Sequence, residues 1–273
     1  MKFIDSHCHL PNLGDKDELE RVLNNAKEDG VSKFINIGTS IKDNKDTIEV
    51  AEKYESVYAT VAIYPHEHRK GNIDELINQL EKQATSSKRV VAIGECGIDV
   101  SEWKNQRPLE QQIELFKLQV RLSQKLNLPL VIHNRNSDDV ILELLDRYKD
   151  IRGVVHCFDS TCEVAQKFLD LGLYISFSGL ITYELKSYLL ETVKNAPPDR
   201  YLIETDSPYL LPEPARTQSR EFGTKRHNEP KYVKMVGQKV AEVRQIGLEE
   251  MAMQTYTNTC RLFGLKSQVQ YAK

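Results

Sequence analysis

No stretch of this 273-residue chain approaches the roughly 18 uninterrupted apolar residues that a membrane helix needs. The opening MKFIDSHCHL lacks an apolar h-region before a small-residue cleavage site, so the expected compartment is the cytoplasm. Five cysteines, an odd number without scaffold-like spacing, exclude a disulfide framework and predict free thiols. Excess charge is also scarce. A formal net charge of −3 gives no global basic field of the kind that wraps duplex nucleic acid. No Gly-x-Gly-x-x-Gly follows the first apolar run, which argues against a dinucleotide site. Internal repeats, low-complexity runs and domain linkers are absent too. What remains, 40% hydrophobic and 28% charged residues, is the balance of an ordinary globular protein.

Eight short runs rich in Val, Ile, Phe and Tyr alternate with longer segments whose apolar residues recur every three or four positions. The runs lie near residues 3–6, 33–38, 57–63, 90–95, 129–133, 153–156, 174–178 and 202–206. Helices are predicted near 17–28, 44–54, 73–84, 106–126, 138–148, 161–171 and 184–193, with Asp17, Asn44 and Thr161 as N-caps. Past the eighth run come a Pro-rich loop and two more helices, near 231–244 and 248–263. Eight such units without a break in composition predict a single (β/α)₈ TIM barrel over residues 1–265 with extra C-terminal helices, residues 266–273 forming a tail. A monomer is expected.

In such a barrel, functional residues gather at the C-terminal ends of the strands. Those ends here carry His7 and His9, Glu95, His133, His156 and Asp206, all metal-ligand types. If the strands close, the six converge. Alternation along a strand turns His7 and His9 inward and Cys8 outward, and likewise places Cys96 and Cys157 under the outer helices. Asp5 and Glu204 share the inward parity one layer deeper and are expected to orient metal-bound imidazoles. Six ligands exceed what one catalytic ion takes, so two divalent ions are expected, with Glu95 as the bridge. His7, His9 and Asp206 would hold one, and His133 and His156 the other. Zinc, manganese and magnesium are the candidates, although imidazoles suit magnesium least. Catalysis is assigned to Asp206 and Glu95, with Asp206 also accepting a proton from the attacking water.

The motifs at these positions are Asp5–His9, Gly94–Asp99, His133–Arg135, His156–Phe158, Glu204–Tyr209 and Asn228–Pro230. Across nearly the whole chain they resemble the TatD-like metal-dependent deoxyribonucleases, relatives of the amidohydrolase barrels. The resemblance implies a 3′-to-5′ exonuclease or phosphodiesterase acting on single-stranded or frayed DNA ends. Two departures stand out. Many members have His-Pro after the third strand where this chain has Tyr64-Pro65, so either His66 takes over a substrate contact or none is made there. Many also have Arg directly before Asn-Glu-Pro, where this chain has His227 preceded by Arg226. Six Lys or Arg against two acids between Ala215 and Lys234 are expected to overhang the site and attract an anion. Arg135 is expected to grip a phosphate with its planar fork, and Trp103 either to stack on a base or to cover barrel surface. Amide, lactone or aminoacyl-ester hydrolysis by the same metals remains the alternative.

Overall fold

Strands buried on both faces must be short and apolar almost throughout, and the eight runs meet that demand. In the computed structural model, which describes residues 1–102, 106–223 and 227–267, they form one parallel sheet in chain order. The strands are β1 (Phe3–Cys8), β2 (Val31–Asn36), β3 (Val57–Val61), β4 (Val90–Asp99), β5 (Leu130–Arg135), β6 (Gly153–Val155), β7 (Tyr174–Phe177) and β8 (Tyr201–Ile203). Between them run α1 (Lys16–Glu28), α2 (Ile41–Lys53), α3 (Ile73–Ala84), α4 (Leu109–Leu126), α5 (Asp138–Leu145), α6 (Cys162–Asp170) and α7 (Leu189–Asn195). After β8 come α8 (Ala215–Glu221), α9 (Val233–Arg244) and α10 (Leu248–Phe263). The last strand reaches the first through a Cys8–Ser207 bridge, beside which His9 N donates to Ser207 O at 2.8 Å and Asp206 N to His7 O at 2.9 Å. The chain is a TIM barrel. Among the described residues no helix is long and apolar enough to cross a membrane.

Helix starts follow capping chemistry more than apolar periodicity. Asp15 accepts from Asp17 N and Glu18 N, and Ser40 from Asp43 N, so the expected caps Asp17 and Asn44 already lie inside α1 and α2. Asn44 is fully buried instead, donating to Ala62 O at 3.1 Å and Gln83 Oε1 at 2.9 Å. Thr161 does cap α6. The fourth helix waits for Pro108 and begins at Leu109, and residues 184–186 form a separate 3₁₀ turn before α7.

Two apolar layers hold the barrel. Phe34, Ile93, Ile132, Phe177 and Ile203 pack between the sheet and its helices. Ile4, Ile35, Val91, Val131, Val154 and Leu202 fill the interior together with Tyr256, Cys260 and Phe263 of α10. That last helix lies across the start of the strands. Asn258 Nδ2 donates to Pro198 O and Tyr201 O at the entry to β8, each at 3.0 Å, and Lys33 Nζ donates to Tyr256 OH at 3.0 Å. The N-terminal end is therefore plugged, and the loops at the opposite end frame an open mouth.

Two strands break simple alternation just where ligand-type residues occur. Between the pairs Asp5–Phe34 and Cys8–Asn36, β1 advances three residues while β2 advances two. Between Gly94–Val131 and Cys96–Ile132, β4 advances two residues while β5 advances one. An extra residue of this kind re-aims side chains locally, and barrel rims are where such bulges concentrate. The bulge in β1 puts Asp5 beside outward-facing Phe34 yet turns His7 inward; that in β4 turns Glu95 inward and leaves Cys96 facing the helices.

Candidate metal centre

Six side chains from five strand ends meet at the open mouth. His7 Nε2 lies 3.5 Å from Glu95 Oε2, 3.5 Å from Asp206 Oδ1 and 3.3 Å from His9 Nε2. His9 Nε2 is 3.8 Å from Glu95 Oε2 and 3.4 Å from Asp206 Oδ1. On the other side, Glu95 Oε1 is 2.7 Å from His133 Nδ1 and 3.0 Å from His156 Nε2, and those two nitrogens are 3.3 Å apart. Glu95 thus presents one oxygen to each histidine pair. Three groups drawn from the six have all their ligand atoms within 4.8 Å of one another: His7, His9 and Glu95; His7, His156 and Asp206; and Glu95, His133 and His156.

This donor set fits divalent cations. Imidazole nitrogens and carboxylate oxygens are their usual ligands, and a neutral imidazole has only one N–H to give, so four rings this close cannot all be satisfied by each other. Among the described residues, the buried Nδ1 of His7 has no hydrogen-bond partner at all. Burial and the charge on His156 hold the His7 proton affinity below its ordinary value, which leaves a ring with a lone pair to offer. Burial pushes the Glu95 carboxyl up, but the neighbouring His156, His133 and His7 outweigh it and keep Glu95 well below the usual range. For His156 burial acts downward, and Glu95 with Glu204 more than reverses it.

Residues behind these six side chains hold hydrogen bonds that fix their orientation. Glu204 Oε1 accepts from Cys157 N at 2.7 Å and sits 3.3 Å from His156 Nδ1, as expected from the sequence. Asp5 does not reach an imidazole. Its oxygens take the backbone N–H and hydroxyl of Thr205, because the β1 bulge sends Asp5 to the outer face. Burial raises the Asp5 carboxyl to about 8 despite those bonds. Two residues that sequence reasoning missed serve His133 instead: Asp99 Oδ2 stands 3.3 Å from His133 Nε2, and Tyr64 OH donates to Asp99 Oδ2 at 2.9 Å. Asp99 lies two residues beyond Gly97, which pairs with His133, and that shared parity is a signal present in the sequence.

Cys8 and Cys96 are fully buried in the outer layer, as alternation predicts. Cys157 departs from that expectation: β6 ends at Val155, Cys157 adopts φ +45°, and it lines the mouth with Sγ 3.2 Å from Ser178 Oγ.

The mouth opens into a cavity of about 750 Å³ lined by Glu95, Asp206, His66 and three cations, Arg69, Arg135 and Lys186. Arg135 is exposed, and His66 is held by Arg107 N, which donates to its Nδ1 at 3.2 Å. Lys186 is bound to Asp159 at 2.6 Å. The basic run after β8 does not line this cavity through any described residue. Arg216 lies over the Tyr183 ring and 3.6 Å from Glu213, Lys231 pairs with Glu229 at 3.2 Å and Lys234 with Asp29 at 3.2 Å, so three of the described cations of that run are engaged locally. Lys225, Arg226 and Trp103 lie outside the described residues, and His227 is exposed.

A family model described as TatD related DNase matches residues 4–264. The uncharacterized metal-dependent hydrolase YabD of Bacillus subtilis (strain 168) is 34% identical over 263 residues, covering 95% of this chain and 98% of its own. The 3′-5′ ssDNA/RNA exonuclease TatD of Pantoea ananatis is 33% identical over 250 residues, covering 90% and 93%. The crystal structure of YJJV, a TatD homolog from Escherichia coli, superposes with a TM-score of 0.87 at 28% identity, covering 97% and 98%. With a match of that extent, and with the histidines and carboxylates gathered at the mouth of the barrel, the chain belongs to the TatD related DNase family of metal-dependent hydrolases.

Proposed function

We propose that this protein is a phosphodiesterase that trims single-stranded or frayed DNA from the 3′ end, using two divalent ions. The observation that carries the reading is Glu95, whose two oxygens face two separate histidine pairs inside a cavity bordered by cations. His7, His9 and Asp206 would hold one ion and His133 and His156 the other, with Glu95 shared. When bound, such ions polarise a phosphoryl oxygen and lower the pKa of a water. Asp206 lines the cavity and accepts that water's proton. The water oxygen then bonds to phosphorus, the P–O3′ bond breaks, and the proton held on Asp206 passes to the departing oxygen, releasing a nucleotide. Arg135 clamps a non-bridging phosphate oxygen with its guanidinium fork, while Asp99 and Tyr64 keep His133 from turning.

The exonuclease name carried by the Pantoea relative and the cavity cations both favour phosphate over a neutral carbonyl. End-labelled single-stranded DNA incubated with manganese-loaded protein tests this, beside an aminoacyl ester, a lactone and an amide. A ladder shortening from the 3′ end is the expected outcome. Cleavage of a carbonyl substrate with the DNA left intact would overturn the proposal.

A further inference from the structure

The loop after β3 carries a second depression of about 680 Å³, walled by residues 66–71 and Gln106. It shares His66, Glu67 and Arg69 with the lining of the main cavity, so it is a groove adjoining that cavity on the side away from the metal-ligand residues. Arg69 and Lys70 are exposed on its rim, and among the described residues no acid pairs with either. Beneath the loop lies Arg107, only 1% exposed. Its Nε donates to Pro65 O at 3.0 Å and its Nη2 to Glu67 O, while no described carboxylate stands within ion-pair distance of it. A buried cation bonded, among the described residues, only to carbonyls keeps its charge uncompensated by them, and the cost of that falls when an anion settles nearby. Glu67 is the single acid on this rim; its backbone carbonyl, not its carboxylate, takes the Arg107 bond.

We infer that this groove is a phosphate subsite, offering Arg69 and Lys70 at its rim with Arg107 buried beneath the loop, that holds the substrate strand at a phosphate removed from the cleaved bond. The inference rests on the nuclease reading and specifies how the strand leaves the metal centre: past the β3–α3 loop, with its backbone toward the loop. A dinucleotide contains only the scissile phosphate and leaves the groove empty. Longer strands gain a contact there, and that gain is ionic.

The variant Lys70→Glu, a residue that lines the groove but not the metal-site cavity, tests this against Lys16→Glu, an equal charge change on exposed α1. With single strands of about ten nucleotides or more, the groove variant should raise KM roughly tenfold at unchanged kcat. The salt dependence of kcat/KM should become shallower by about 0.7 in the log–log slope for each phosphate that the groove no longer holds. Dinucleotide hydrolysis by the same variant, and all activities of the α1 variant, should match wild type. Equal losses on dinucleotide and long strand would place Lys70 at the scissile phosphate and overturn the subsite, as would no loss on either. If wild type cleaves neither DNA substrate, the nuclease reading fails, and anisotropy of a fluorescein-labelled oligonucleotide then decides the groove. A tenfold weaker affinity confined to the groove variant sustains an oligoanion site, and equal affinity removes it.

Discussion

The two ends of the barrel treat buried polar groups in opposite ways. At the N-terminal end the groups that close the barrel meet their complements: Lys33 donates to Tyr256 OH and lies 5.3 Å from the centre of that ring, and Asn258 closes two backbone carbonyls. At the C-terminal end four imidazoles and two carboxylates crowd together with more lone pairs than protons between them, and a ring nitrogen of His7 goes without a partner among the described residues. One end is finished by the chain itself. The other is finished only by what it binds.

If that division is right, damage at one end should leave the other alone. The largest effect is expected from Phe263→Ala in the α10 plug, because emptying an aromatic site in a packed interior costs about 3 kcal/mol or more. Denaturant titration should show the loss, while turnover per folded, metal-loaded molecule stays at wild type; a fall in that turnover would tie the ends together. At the mouth, Asp206→Asn should cut turnover roughly 10²-fold at saturating manganese, the scale of a lost general base. Turnover per bound ion near wild type would limit Asp206 to holding metal. Glu204→Gln weakens the acceptor behind His156 and should lower metal affinity about 10- to 100-fold, read by competition with a chelating dye, with the unfolding midpoint of the metal-free protein little changed. The smallest effects belong to Cys8→Ala and Cys96→Ala, whose thiols face the helices. Metal content and turnover should change by less than about twofold, and loss of metal from either folded variant would show that the bulges aim these residues differently.

The same contrast marks what is legible in the sequence. Strand-helix alternation gives the barrel, and ligand-type residues at successive strand ends give the convergent set, because both depend on composition at fixed spacing. Register does not. Nothing in Phe3–Cys8 announces that β1 takes one extra residue, so parity alone assigns Asp5 to the imidazoles when it serves Thr205. Parity misplaces Cys157 for a related reason, since β6 stops before it and a positive φ turns it into the mouth. Charge counting is legible only in part: Arg216, Lys231 and Lys234 of the basic run after β8 are engaged by Glu213, Tyr183, Glu229 and Asp29, while the described cavity cations come from the β3–α3 loop, the end of β5 and the 3₁₀ turn before α7. Asp99 and Tyr64 are within reach of the sequence, the first by parity and the second by its place just past β3.

The seam between the first strand and the last has a bearing on how the protein is made. Asp5 and Thr205, 200 positions apart, are bonded there, and the backbone of Asp206 is tied to His7. A ribosome builds the first two histidines at the outset and the aspartate that joins them only after most of the message has been translated. No prematurely terminated product that stops short of β8 carries all six of the side chains that meet at the mouth. The six side chains at the mouth can therefore be brought together only late in synthesis.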